Sequence, residues 1–442
     1  MKKVIALVVV ALFGFASAQV TISWLVGLGT GANPDQQEIQ NAVIEAFNAS
    51  QDDIILEVTY IENSVSVETL STLLATGQAP DIVGPVGNAG ANAFVGNFLD
   101  IEPYLIEQGY DFSQFSESQV DFYRTSEGLV GLPLASFPAF IFYRPAHFDE
   151  AGLDYPPANY GDPYMLDGEE LEWNIETMSE VAKILTVDAN GNDATMDEFD
   201  ASDIVQFGFA NQWADPMRQN ATLHGADTVI DADGNAVMSD TWREAFQWYY
   251  DAMWADTFMP NAAQRGSDLL ASGNVFASKF VSMAHTHLWY TCCLEDDEWD
   301  AAALPSHNGE ITSRLHADTF RIMNTTEHPA EAVEVLTYLT GEASLELLSA
   351  YGGLPAREAD QPAFYAGLDE KYPQGVNWDI VSQSLQYPDI PSHEVFLPNN
   401  NRANDRLDAF RSLLDSEPGL DVNEEIDKLL ADLQVIFDTA DN

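Results

Sequence analysis

The chain has 442 residues, 46% of them hydrophobic, enough to bury a large core in two or three domains of ordinary size. Its 71 Asp and Glu stand against 17 Lys and Arg for a formal charge of −54. Phosphate is therefore repelled over the whole surface, and nucleic acid is excluded as a partner.

In chain order, Lys2 and Lys3, the apolar run Val4 to Phe15 and the small residues Ala16-Ser17-Ala18 before Gln19 read as a secretory signal peptide over residues 1–18. The run is shorter than the roughly 20 apolar residues that span a bilayer. No Cys follows it, so no lipid-anchor cysteine is expected, and the mature chain should be exported free into the periplasm or the medium. Val20 to Trp24 reads as a strand leading through Gly27, Gly29 and Gly31 to a helix over Asp35 to Phe47, with Ile39, Ala42, Val43, Ala46 and Phe47 on one face. A strand at Ile54 to Ile61, a helix at Val67 to Ala75 and a strand at Asp81 to Val83 continue the alternation of an open α/β sheet. Ligands of such sheets sit beyond the carboxyl ends of the strands, which puts the loops Gly27 to Gly31 and Gly84 to Gly90, Gly87 among them, on a binding rim, with Trp24 nearby.

The glycines at 27, 29 and 31 lack the spacing of a dinucleotide fingerprint, so no nucleotide cofactor is expected. Walker, nucleophile-elbow and paired-histidine zinc-protease patterns are also missing from the sequence. Further helices are expected at Ile175 to Leu185, Thr241 to Trp254 and Pro329 to Leu339, and Asp233-Gly234 marks a hairpin. Asp188, Asn190, Asn192 and Asp193 alternate oxygen groups as a calcium loop does. The loop departs from the EF-hand at its sixth and twelfth positions, so a structural calcium competes with a plain Asx-rich turn. Cys292 and Cys293 are the only cysteines. Adjacent Cα atoms lie about 3.8 Å apart, under the usual disulfide range, so two free thiols are favoured over a vicinal disulfide. Val422 to Phe437 is amphipathic and reads as a closing helix.

Several segments together resemble the extracellular solute-binding proteins (family 1) of ABC importers, the group that includes maltose-binding protein. They are Ala75-Thr-Gly77-Gln-Ala79-Pro80-Asp81-Ile-Val83, Phe98-Leu-Asp-Ile-Glu-Pro103, Gly131-Leu-Pro133 through Phe148 to Leu153, Leu270-Ala-Ser-Gly273-Asn-Val275, Ala303-Leu304-Pro305, and Tyr351-Gly352-Gly353-Leu354-Pro355-Ala356-Arg357. Arg144-Pro145 replaces the family's usual Asn-Lys. The resemblance implies a two-lobed α/β periplasmic-binding-protein fold (type II-like), with crossings near Ala135 to Phe137, Ser313 to His316 and Gly353 to Pro355. The lobes would be residues 19–135 with 316–352, and 136–315 with 353–442.

It also implies where a sugar would be held. Stacking faces and planar polar groups are needed, because a buried hydroxyl left unpaired costs about 1–3 kcal/mol. Asn211, Gln212 and Trp213 stand where the family places second-lobe contacts, and His285, His287 and Trp289 where it has an aromatic segment. Asp318 stands where it has a contact after the second crossing. Tyr351, Gly352 and Arg402 are rim candidates. A metal on His285 and His287 is the weaker alternative, since no third ligand is near in sequence. The implied function is capture of a mono- or oligosaccharide by a monomeric, non-catalytic protein and delivery to the transmembrane subunits of an ABC permease. The alternatives are a secreted carbohydrate hydrolase working with an Asp/Glu pair, and a receptor for peptides or polyamines.

So acidic a surface also suits a saline habitat, although a merely acidic exported protein has the same composition. If salt relieves self-repulsion, the melting temperature of the mature chain rises between about 0.1 and about 1 M salt, as the screening length falls from about 10 to about 3 Å. Melts that stay flat across that range contradict the saline reading.

Overall fold

Apolar residues at alternate positions form the first strand, β1 (Val20–Val26), with Ile22, Trp24 and Val26 buried. It pairs in parallel with β2 (Ile54–Tyr60) and β3 (Ile82–Val86), and the crossovers are α1 (Pro34–Ser50) and α2 (Asn63–Ala75). The computed structural model describes residues 19–115, 117–295, 298–389 and 395–439, so the expected signal peptide, Met1 to Ala18, lies outside the described residues. Among the described residues no helix is long and apolar enough to cross a membrane.

Asp81, from the Ala-Pro-Asp-Ile segment, fastens this unit. Its carboxylate accepts from the Ser23 amide at 2.8 Å, the Ser23 hydroxyl at 2.7 Å and the Thr326 hydroxyl at 2.6 Å. One charged acceptor thus ties the middle of β1, the start of β3 and a segment far along the chain, with bonds of the stronger, charge-assisted kind.

The centre of the molecule is β4 (Ala135–Tyr143), nine residues buried everywhere except at Ser136. The other long strands are β5 (Ile204–Asn211), β6 (Val281–His287) and β7 (Leu315–Ile322). The first half of β4 pairs antiparallel with β7, Phe137 opposite His316 and Ala135 opposite Asp318, while Leu354 and Pro355 pair with Ser136 and Ala135. Its second half, Ala139 to Tyr143, pairs antiparallel with β6, which runs parallel to β5. Since β7 also pairs with β3, one sheet runs β2-β1-β3-β7-β4-β6-β5 through the molecule. Two parallel ends are joined by an antiparallel centre, and the three segments expected as crossings lie side by side there.

Helices α3 (Pro216–Leu223) and α4 (Asp240–Trp254) follow β5, and α5 (Pro329–Thr340) and α6 (Ser344–Tyr351) follow β7. The latter pair returns to α1, where the Tyr338 hydroxyl donates to the Val43 carbonyl at 3.0 Å and the Tyr351 hydroxyl to Gln40 Oε1 at 3.1 Å. The expected closing helix is found as α8 (Val422–Phe437), after α7 (Asn400–Ser416). Ile426, Leu429 and Leu433 join Phe246 and Phe410 in one buried cluster. Arg144, where the family's usual Asn stands elsewhere, is buried, donates to the Phe276 carbonyl at 2.6 Å and lies 4.5 Å from the Phe276 ring centroid.

Cys292 and Cys293 are bonded to each other, against the expectation of free thiols. They end a tight 3₁₀ turn (Leu288–Cys293) that holds the two sulfurs on adjacent residues together.

Candidate functional site

Side chains alternate across a strand, so in the central ribbon Phe137, His316 and Asp318 fall on one face and Ser136, Leu315 and Ala317 on the other. The first face borders a cleft of about 420 Å³ and the second a cavity of about 410 Å³. The cleft is the candidate site because every parallel strand ends at it. Residues following β1 (Leu28 to Thr30, Asn33), β2 (Asn63), β3 (Gly87, Ala89, Gly90), β5 (Trp213) and β6 (Trp289, Cys292, Cys293) all line it. That is where open α/β sheets bind ligands.

Trp213 sits two residues beyond β5 at φ 51°, a left-handed conformation costly for so bulky a residue. Its indole N–H donates to the Gly273 carbonyl at 3.1 Å and its ring meets Tyr290 edge-on at 5.5 Å, yet it stays 52% exposed. A large aromatic held in strain with a free face is an arrangement that packing alone does not call for. Trp289, half-buried, follows β6 on the turn that ends in the disulfide, and its N–H donates to His316 Nδ1 at 3.4 Å. Behind it His287 lies parallel at 5.7 Å and itself stacks on His316 at 3.7 Å.

Asp318 is framed by two glycines. A Cβ on Gly87 would lie 2.8 Å from its Oδ1, and one on Gly29 would lie 3.3 Å from its Oδ2 and 2.5 Å from the Pro85 carbonyl oxygen, so the glycines let both loops close around this carboxylate. The rim after β1 is fixed by the buried Gln36. Its Oε1 accepts from the Gly31 and Asn33 amides at 2.9 and 3.3 Å, and its Nε2 donates to the Thr30 hydroxyl at 2.9 Å and the Ala350 carbonyl at 3.1 Å.

Of the twelve candidate ligand residues, then, Gly87, Trp213, Trp289 and Asp318 line the cleft. The others lie outside its lining. Trp24 is core, donating to the Gly84 carbonyl at 2.7 Å and packed edge-on against Phe320. Tyr351 is fully buried against α1, and burial pushes its hydroxyl well above the ordinary value. Gly352 caps α6 at φ 67°, where a Cβ would come 2.6 Å from Thr291 Oγ1. Arg402 is exposed on the first turn of α7. Asn211 and Gln212 face inward, Asn211 donating to Asn220 Oδ1 at 3.2 Å and Gln212 accepting the Phe276 amide at 3.0 Å. His285 and His287 are wholly buried, with no hydrogen-bond partner on any ring nitrogen among the described residues. Burial first, then Arg314, pushes His285 down to about 3. Burial, then His316, Arg314 and His285, holds His287 well below its ordinary value. Both imidazoles are therefore neutral. Thr30, Asn33, Asn63, Phe137, His316, Cys292 and Cys293 join the lining without having been singled out from the sequence as ligand contacts.

The Asp188 loop is closed on itself. Asp188 Oδ1 accepts the Asn190 and Asn192 amides at 2.8 and 2.9 Å, and Oδ2 accepts the Asp200 amide at 3.0 Å and Asn192 Nδ2 at 3.1 Å. Burial alone would raise this carboxyl, but those donors outweigh it and hold it well below the usual carboxylate range. Asp193 Oδ1 takes the Thr195 amide and hydroxyl at 2.9 and 2.5 Å. Calcium takes about 6–8 oxygens facing a common centre, whereas these oxygens face N–H and O–H donors. Among the described residues no three His, Cys, Asp or Glu side chains group as a metal-holding set.

A model of the family described as bacterial extracellular solute-binding protein matches residues 42–366. That is well over half of the chain, which belongs to this family. No curated protein matches it in sequence. Among solved structures it resembles the ABC substrate-binding protein from Listeria monocytogenes in complex with cycloalternan, at 18% identity and TM-score 0.72 over 95% of this chain and 98% of that one. It also resembles an ABC transporter solute-binding protein from Thermotoga lettingae bound with α-D-tagatose, at 18% identity and TM-score 0.71 over 95% and 100%. Maltose-bound MalE3 of T. maritima aligns at 17% identity and TM-score 0.70 over 94% and 100%. At these identities the likeness establishes the two-lobed fold.

Two neutral imidazoles make stability depend on pH with a definite sign. Below about pH 6.5 the unfolded chain takes up protons at His285 and His287 that the folded chain refuses. Their stabilising share is whole above that pH and is lost as pH falls, for His285 toward about 3 and for His287 in the same direction. In chemical unfolding between about pH 6.5 and 5.5, each should remove up to about 1.4 kcal/mol per pH unit. The double variant His285→Gln, His287→Gln should show a shallower slope than the parent, and equal slopes contradict the assignment.

Proposed function

We propose that this solute-binding protein captures a neutral saccharide in the cleft and delivers it to the transmembrane subunits of an ABC permease. The observation that carries the reading is the composition of the cleft. Its described lining holds the indoles of Trp213 and Trp289, the polar groups of Thr30, Asn33, Asn63 and His316, a single carboxylate, Asp318, and no Lys or Arg. Indole faces suit the C–H faces of a pyranose, and planar polar groups suit its hydroxyls. The single charge selects among ligands. Anions meet no cation here, amino acids and peptide termini find no partner for a carboxylate, and a polyamine would find one carboxylate for several ammonium groups. A glycosidase needs two carboxyl groups flanking the scissile bond, and this lining offers one. The cycloalternan, α-D-tagatose and maltose named for the similar structures point the same way.

Capture works by closure. Residues 19–135 with 316–352 form one lobe and residues 136–315 with 353–442 the other, and the ribbon of Ala135 to Pro138, Leu315 to Asp318 and Leu354-Pro355 is the hinge. Sugar meets the Asp318 side first, and Trp213 and Trp289 add contacts as the lobes close. The extra affinity of the closed form shifts the population toward it, and the permease reads that form. The protein works as an exported monomer and turns nothing over.

A thermal-shift screen against mono- and disaccharides, amino acids, peptides and polyamines, at moderate and high salt, tests this. One saccharide group should give a saturable rise, worth about 2.7 kcal/mol at a hundred times Kd, with the sugar recovered intact. A rise with a peptide or polyamine alone overturns the ligand class, and consumption of the sugar moves the protein to the hydrolase reading. Trp289→Ala should weaken binding at least tenfold, about 1.4 kcal/mol, while leaving the melting temperature nearly unchanged. Unaltered affinity contradicts this cleft.

A further inference from the structure

We propose that the Cys292–Cys293 disulfide is itself a ligand-contacting wall of the cleft, and that tight capture requires it oxidised. This rests on the saccharide reading of the same cleft. Both cysteines line the cleft and are half-buried. They sit on the same 3₁₀ turn as Trp289, so whatever fixes the turn's backbone also fixes the indole.

The back of this turn is already tied down. The Thr291 carbonyl accepts the Tyr372 hydroxyl at 2.5 Å and the Lys371 ammonium at 2.7 Å, and the Leu294 carbonyl accepts the same Tyr372 hydroxyl at 2.9 Å. The rear of the turn is thus committed to the protein, and the sulfurs are left on the cleft side. From across the cleft Asn33, on the rim after β1, brings its Nδ2 to 3.8 Å from Cys293 Sγ, joining positions 260 apart in sequence. The disulfide therefore touches the segment that has to meet it when the cleft is shut.

The chemistry suits a sugar. A disulfide presents polarizable, apolar surface with no hydrogen-bond donor, matched to a C–H face, and its ring removes backbone freedom around the peptide joining the two residues. Two thiols would restore that freedom, loosen the mounting of Trp289 and place weak S–H donors against the ligand. No third cysteine exists in the chain to exchange with this pair. An external dithiol reduces it by the usual two steps. One thiolate attacks a sulfur to give a mixed disulfide, and the second displaces it. The reductant ends as its own disulfide, having given two electrons and two protons, and Cys292 and Cys293 end as thiols.

The test is calorimetric titration of the mature chain, with maltotriose as the first probe and otherwise the screened saccharide that stabilises it. The protein is measured as isolated, after reduction with dithiothreitol, and after reoxidation with glutathione disulfide. N-ethylmaleimide adducts counted by mass report the thiol state. The expected result is no adduct in the isolated protein, two after reduction, at least a tenfold loss of affinity on reduction, and recovery on reoxidation. Cys292→Ser with Cys293→Ser should reproduce the loss in a protein that still melts cooperatively, and if that variant does not fold, the reduction arm decides. Affinity within twofold across the cycle, or two adducts without reductant in a protein that binds normally, overturns the proposal while leaving saccharide capture standing. Failure of the oxidised protein to bind any saccharide overturns the capture reading and this proposal with it.

Discussion

Everything in this molecule hangs on nine residues shared between two sets of hydrogen bonds. β4 gives its first half to β7 and to Leu354-Pro355 and its second half to β6, so a parallel unit on either side is welded into one sheet. A strand this buried cannot slip by one residue without turning Phe137 and the partners of His316 and Asp318 to the opposite face. Register there decides which side chains border the cleft. On the proposed closure, bending would be confined to the narrow place where only the first half of β4, β7 and one short strand run together.

The cleft beside that ribbon differs in charge from the rest of the protein. Of the chain's 71 Asp and Glu, the described lining of the cleft holds one, and that one is closely fenced by Gly29 and Gly87. The carboxylate can orient a hydroxyl or two, and the acidic exterior discourages anions from entering. Under the proposed reading, selectivity for neutral ligands follows from this composition, and selectivity among them falls to the shapes of Trp213, Trp289 and the disulfide. The strained backbone of Trp213 is held by its bond to Gly273 and its contact with Tyr290, which leave the residue 52% exposed at the cleft.

The sheet and the rim were readable from alternation and from glycines after strands, because those signals are local. β1, β2 and α8 fall within a residue or two of where periodicity puts them. Trp213 and Trp289 come just after strands and Asp318 lies within β7, and all three border the cleft. His285 and His287 could not be told from ligand contacts, since period two says that they share a face and says nothing of what covers it. Here His287 stacks on His316 and lies parallel to Trp289, and those two rings also meet each other. Trp24 and Tyr351 failed for the same reason: an aromatic near a rim glycine is as readily core, and the carbonyl and amide that receive their polar tips come from distant segments. Asn33 and Asn63 carry no signal beyond their position after strands. The cysteines did carry one, adjacency to Trp289 on a short turn, which became meaningful only once that turn was seen to face the cleft.

Hydrogen exchange with and without the stabilising saccharide tests the central claim most directly, since it reports on both walls of the cleft at once. The account predicts slowed exchange together in residues 28–33 and 87–90 on one side and in residues 213–214 and 288–293 on the other, with the rest of the molecule little changed. Protection confined to one wall, or centred on the cavity behind the ribbon at Pro133, Ala317 and Ala356, would contradict capture between the two.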